Sequence, residues 1–248
     1  MRKWIPLIFL LGLLLSACGV LSPAPGKSVG ISSPKPGARE ASSAASPITV
    51  MIRDAFCESG SYRDDIGNTW DYVLRIPMID SEGEDAARLK RELNAALEPA
   101  VKEARNSMAT GCSLMVTRVD YTVYENDHLI SILCETVTDW GFESYYAVNY
   151  DASTHREVTR PQLLQRFGMS EEAFEVAAGE MMETYFTEQF PSYPQDEFYR
   201  DRHDRSVDAL NFKDDCCLFV NNEGQLCMIP RLYSFAGADF YYHIFALN

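Results

Sequence analysis

Positive charge, histidine and long apolar runs are what this sequence has least of. Its 248 residues hold 22 Lys and Arg against 36 Asp and Glu, a formal charge of −14. A surface so poor in cations does not neutralise phosphates or settle on anionic lipid, which argues against nucleic acid and acidic membrane surfaces as partners. Only four histidines are present, and none has a partner at metal-ligand spacing. His-Glu-x-x-His, Cys-x-x-Cys, Gly-x-Ser-x-Gly and a Gly-rich loop running into Lys are all missing, so zinc hydrolysis, dithiol exchange, serine hydrolysis and phosphate-loop chemistry lack their usual residues. No metal and no cofactor is expected, and the chain is read as a non-enzyme.

The one marked apolar run, Trp4 to Leu15, is shorter than the roughly 20 residues a helix needs to cross a bilayer. It follows Arg2 and Lys3 and ends in Ser16-Ala17-Cys18, the order of a secretory signal peptide. Leu15-Ser16-Ala17-Cys18 before Gly19 resembles the lipobox of bacterial lipoproteins, in which the cysteine is diacylated and becomes the new N-terminus. The resemblance implies a leader over residues 1–17 and a lipid anchor on Cys18, and more than one acyl chain on a residue suffices for stable anchoring. The expected place is the extracytoplasmic face of a bacterial cell membrane. Without Arg2 and Lys3, 20 basic residues face 36 acidic ones, a formal charge of −16.

Residues 18–47 are rich in Ser, Ala, Pro and Gly with no periodic apolar face, which reads as a disordered tether. As a coil it would average about 30 Å and could extend to about 100 Å. Ser32-Ser33-Pro34-Lys35 has the letters of a Ser-x-x-Lys nucleophile, but a Pro-rich coil cannot build the pocket that chemistry needs. The folded part is residues 48–248, one domain with a subdivision near Cys112 left open. Its six cysteines allow 15 pairings, and adjacent Cys216 and Cys217 suit each other poorly. Buried small apolar side chains, with one or two bridges at most, are expected of them.

Strands are expected over residues 48–56 and 70–78, parted by the turn-prone Ser59-Gly60 and Asp64-Asp65. Leu89, Leu93, Leu97, Val101 and Ala104 then recur at helical spacing. A meander follows: residues 113–125 and 128–138 about Asn126-Asp127, then residues 142–149. Pro161 opens a short helix, and Ser170 caps a second whose apolar face reads as Phe174, Ala178, Met181 and Tyr185. A hairpin over residues 216–220 and 225–229 and a last strand over residues 240–247 close the chain. The expected class is α+β: an antiparallel sheet, as meander plus C-terminal hairpin, packed with two main helices.

Several segments carry a family likeness: Tyr72-Val73-Leu74-Arg75-Ile76-Pro77, Leu93-Asn94, His128-Leu129-Ile130-Ser131-Ile132, Tyr145 to Asp151, Val158-Thr159, Leu163-Leu164-Gln165-Arg166-Phe167, Phe219 to Pro230 and Tyr233-Ser234-Phe235-Ala236-Gly237. In this order they resemble the extracytoplasmic region of RsiV-type anti-sigma factors and the N-terminal region of PdaC-type peptidoglycan deacetylases. The resemblance implies a binding domain, and in the RsiV-type receptors the ligand is lysozyme. The receptors' transmembrane helix and sigma-binding segment and the deacetylases' catalytic domain have no counterpart in these residues, so sigma-factor control and deacetylation do not carry over. Where the family has a Gly-rich stretch, this sequence reads Thr138-Asp139-Trp140-Gly141-Phe142-Glu143.

Two aromatic groups are the candidate partner-binding residues: Trp140 and Phe142 at a strand connection, and Tyr233, Phe235, Tyr241 and Tyr242 near the end. Tyr241 and Tyr242 must face opposite sides of a strand. Asp201-Arg202-His203-Asp204-Arg205 reads as a solvated loop rather than an acid-base site. The expected activity is capture of a cationic, lysozyme-like protein at the cell surface. The alternatives are a cell-wall or glycan-active hydrolase of unrecognised type and a structural partner of an envelope complex.

Overall fold

A computed structural model describes residues 50–213, 216–234 and 240–247. Residues 1–49, with the expected leader, Cys18 and the expected tether, lie outside the described residues, as does Phe235. The chain enters on β1 (Met51–Arg63), which pairs antiparallel with β2 (Thr69–Asp80). β1 runs straight through Ser59-Gly60, and the turn forms further on, at Asp64–Asn68. Asp64 is the reason. Its buried carboxylate accepts from the backbone N–H groups of Ile66 (3.2 Å) and Asn68 (2.8 Å), the Asn68 amide (3.1 Å), the Trp70 indole (3.2 Å) and the Ser113 hydroxyl (3.2 Å). Desolvation disfavours its charge, but these donors together outweigh it and hold the carboxyl below its usual range.

α1 (Glu84–Ala109) carries the expected stripe, with Leu89, Leu93, Leu97, Val101 and Ala104 all buried. Glu84 and Asp85 stand in its first turn, where the helix dipole favours negative charge. Gly111, just past its end, has φ 73°, and its carbonyl accepts from the Asp65 N–H at 3.0 Å. A side chain there would run into the Asp65 carboxylate.

α1 is a crossover. The strand it leads to, β3 (Val116–Asn126), pairs parallel with β2 at Val73↔Arg118 and Leu74↔Val119, which a tight turn cannot achieve. β4 (Leu129–Thr138), β5 (Glu143–Asp151) and β6 (Arg156–Glu157) continue antiparallel. The order is β1-β2-β3-β4-β5-β6, so the class is α+β and the main sheet is mixed at one junction.

Four helices follow: α2 (Arg160–Arg166), α3 (Glu171–Gln189), α4 (Glu197–Val207) and α5 (Leu210–Lys213). Thr159 and Gln162 form a capping box on α2, and the Ser170 hydroxyl accepts from the Ala173 N–H at 3.1 Å on α3. α4 occupies the segment read from sequence as a loop, with the Asp196 carboxylate capping it at Phe198 and Tyr199. β7 (Cys217–Val220) and β8 (Leu226–Ile229) make the expected hairpin, and β9 (Arg231–Tyr233) pairs with β10 (Phe240–Tyr242). The last strand is not continuous: it breaks at His243-Ile244, and β11 (Phe245–Leu247) joins β8.

Ile130, Ile132 and Cys134 of β4 pack with α1, while Leu133 on the opposite face meets Phe219, Cys227 and Ile229 of the small sheet. That sheet's far side, including Leu218, Leu226, Met228 and Phe245, packs on Phe174, Ala178, Met182 and Phe186 of α3. The layers run helix, large sheet, small sheet, helices within one unit, Pro47–Asn248. A buried polar clasp joins the sheets. The Val220 N–H donates to the Ser131 hydroxyl (3.0 Å), Ser131 donates to Asn149 Oδ1 (2.6 Å), and the Asn149 amide donates to the Leu218 carbonyl (2.9 Å).

Among the described residues the six cysteines form no disulfide. Burial pushes the Cys134 and Cys216 thiols up to about 12. Among the described residues no helix is long and apolar enough to cross a membrane.

Candidate partner-binding surface

The β4–β5 connection is a short turn that holds its aromatics away from the core. The Thr138 N–H donates to the Phe142 carbonyl (2.9 Å), the Gly141 N–H to the Thr138 carbonyl (3.0 Å), and the Phe142 N–H to the Thr138 hydroxyl (3.2 Å). Gly141 takes φ 74°, a conformation that side chains disfavour, with open space around it. Trp140 is 75% exposed and Phe142 44%. The Asp139 N–H donates to the Met115 carbonyl at 3.2 Å, which brings Met115, itself 44% exposed, to the same end of the sheet. Three large apolar side chains at one sheet end exceed the scattered single residues of an ordinary surface. Acid borders them: Glu143 follows Phe142, and Asp139 Oδ1 is shielded from water with no donor among the described residues.

Tyr145 lies further along β5, on the face turned to the small sheet. The Tyr145 hydroxyl lies 2.9 Å from Glu143 and 3.2 Å from Glu135, and its ring meets Tyr242 edge-on with centroids 5.4 Å apart. Burial first, then these two carboxylates, raise the Tyr145 pKa. Tyr241 faces the other way, against the α3 layer, its hydroxyl 3.2 Å from that of Tyr185, and burial raises its pKa too. The pair therefore divides between opposite faces, as alternation requires. Tyr233 is half-buried with the Arg205 guanidinium 4.0 Å over its ring, which covers one face of it. The structure thus places Trp140 and Phe142 together at the β4–β5 turn, Tyr242 against Tyr145 of β5, Tyr233 under Arg205 and Tyr241 against Tyr185. Met115 escaped the sequence reading, because a lone Met at a strand start carries no pattern.

Groups with catalytic chemistry are held otherwise. His203, its side chain 8% exposed, packs edge-on to Phe186 and has Nδ1 2.9 Å from Asp204 and Nε2 2.9 Å from Glu183. Both ring nitrogens face carboxylates, one on α3 and one on α4, so the imidazole pins the two helices together. A cavity of about 720 Å³ lies beside the β5–β6 turn and α2, lined by Asp151, Arg156, Glu157, Gln162 and Arg166 among others. Asp151 there accepts from the Ser153 hydroxyl (2.6 Å), the Ser153 and Thr154 N–H groups (2.9 and 3.0 Å) and Arg166. Desolvation opposes its ionisation, yet these donors hold it well below the carboxylate range, which suits a structural anion rather than a base. No cluster of metal-binding side chains forms among the described residues.

Neither a protein-family profile nor a curated protein matches this chain.

Proposed function

We propose that the chain is a lipid-anchored extracytoplasmic binding protein, non-catalytic, that captures a cationic protein of lysozyme type. The observation that carries this reading is the Met115, Trp140 and Phe142 cluster, exposed and bordered by Asp139 and Glu143. Trp is the residue that most often dominates binding energy when a partner closes over it. The geometry of display agrees. Met51 sits opposite Asp80, whereas Val116 sits opposite Thr138, and the parallel β2–β3 register sets these pairs at opposite ends of the sheet. The aromatic end therefore lies about 35 Å from where the chain enters, the length of the β3 ladder. A domain held through Cys18 would present Trp140 away from its anchor. The formal charge of −16 without the leader favours encounter with a cation, and the likeness to RsiV-type receptors points the same way.

Two measurements test it. Expressed in a Gram-positive host, the chain should partition with membranes and incorporate labelled palmitate, and Cys18→Ala should abolish both. Lysozyme should bind the protein with Kd of about 1 µM or tighter at physiological salt. Trp140→Ser with Phe142→Ser should weaken this at least about thirtyfold, an interfacial Trp being worth about 2 kcal/mol or more. Absence of binding at tens of micromolar would remove the lysozyme reading.

A further inference from the structure

We propose that the groove between α3 and β11 is a second docking site, for a cationic amphipathic helix. α3 has two apolar stripes. Phe174, Ala178, Met182 and Phe186 are buried against the small sheet, while Ala177, Met181 and Tyr185, one position earlier, stay half-exposed. Beneath that second stripe Phe245 and Leu247 make a floor, and His243 closes one side, its ring 5.2 Å from Tyr185 and 4.7 Å from Phe245. The groove holds about 510 Å³. Ala177 to Tyr185 spans about 12 Å, the length of two turns of a docked helix with apolar anchors at i, i+3 or i+4 and i+7. Met169 and Met181 in its wall supply side chains that adapt to such anchors.

The rim decides the charge of the occupant. Glu180, Thr184 and Glu188 follow one another at every fourth position along it. The Thr184 hydroxyl is satisfied by the Glu180 carbonyl at 2.9 Å, which leaves two carboxylates as the polar demand. α3 carries six Glu and no Lys or Arg. Glu171, Glu175 and Glu183 find Arg160, Lys213 and His203, but Glu180 and Glu188 form no ion pair among the described residues. Glu188 also stands in the last turn, at the negative end of the helix dipole and with no basic residue there to offset it. An apolar trough edged by uncompensated carboxylates is complementary to a helix with Leu on one face and Lys on the other. The site lies on a different layer from the Trp140 cluster and does not depend on it.

The test uses the full chain in mild detergent and three labelled synthetic peptides: a Leu/Lys sequence with helical periodicity, a scramble of the same composition, and a Leu/Glu version. Anisotropy titrations should show the periodic Leu/Lys peptide binding at least about tenfold tighter than either control, with affinity falling as salt rises. Glu180→Lys with Glu188→Lys, and separately Met181→Gln, should each weaken it about tenfold or more, and the glutamate pair, being exposed, should do so at unchanged melting temperature. Trp140→Ser should leave it intact. Equal binding of periodic and scrambled peptides, insensitivity to both groove variants, or loss with Trp140→Ser would overturn the proposal. Loss of lysozyme binding alone would touch only the Trp140 surface.

Discussion

Ser131→Ala removes one oxygen from the clasp between the sheets, and its cost follows from what that oxygen does. It accepts from the Val220 N–H and donates to Asn149 Oδ1, and Ser131 is fully buried, so the substitution strands one donor and one acceptor where water has no access. Each orphaned buried group costs about 1–3 kcal/mol, which puts the total near 2–5 kcal/mol. A domain of this size loses about 2–4 °C of Tm per kcal/mol, so thermal unfolding followed by circular dichroism should show a drop of about 5–15 °C. Ser144→Ala, at an exposed position of the neighbouring strand, is the control and should change little. In a double-mutant cycle, adding Asn149→Ala to Ser131→Ala should cost less than the sum of the single changes, because the first change already breaks the circuit. A Tm for Ser131→Ala within about 1 °C of the Ser144→Ala control would refute the clasp as a determinant of how the sheets stack.

Gly111→Ala should destabilise by about 2 kcal/mol or more from its left-handed backbone and the collision with Asp65, and Asp65→Gly should restore part of the loss in urea melts. Asp64, Asp85 and Asp151 titrate below their unfolded values, so in acid the unfolded chain binds more protons. The stability they contribute is complete above about pH 5 and drains away as pH falls through 4 and lower; a Tm that held level from pH 6 to pH 3 would contradict this. Trp140→Ser should shift Tm by no more than about 1 °C while it impairs partner binding, since the exposed ring contributes little to the core. A thiol reagent should label Cys57 and Cys112 in the native protein and reach Cys134, Cys216 and Cys227 only on unfolding, as mass spectrometry of timed aliquots can establish.

Elements with one strong period were legible in the sequence. The α1 stripe, the β3–β4 hairpin, the Pro161 start, the Ser170 cap and the β7–β8 hairpin each carry a local signal that their surroundings reinforce. What was missed depends on partners far along the chain. Ser59-Gly60 reads as a turn until Asp64 is seen collecting donors from Asn68, Trp70 and Ser113. α3 is apolar on more than one side, so its sequence alone favoured Met181 and Tyr185 over Met182 and Phe186, and only the position of the small sheet selects between them. α4 hides in a run of alternating charges because its stability comes from Asp196 at its start and from His203 and Ser206 buried beneath it. The parallel β2–β3 junction leaves no mark on either strand. Of the candidate surface, Trp140 and Phe142 were visible as aromatics beside a glycine, but their grouping with Met115 needed the fold.

The opposite placement of the chain's entrance and the aromatic turn also bears on force. A ligand gripped at Trp140 while the chain is held before Val50 would pull along the strands, not across them. β1 would then be sheared against β2 over the whole ladder from Met51↔Asp80 to Arg63↔Thr69, so many hydrogen bonds share the load at once and none is peeled singly. The bulge at Asp54 and Phe56 is the one irregularity in that ladder and the place where slippage should begin. Under a pull along this axis the domain would resist through the whole β1–β2 ladder at once.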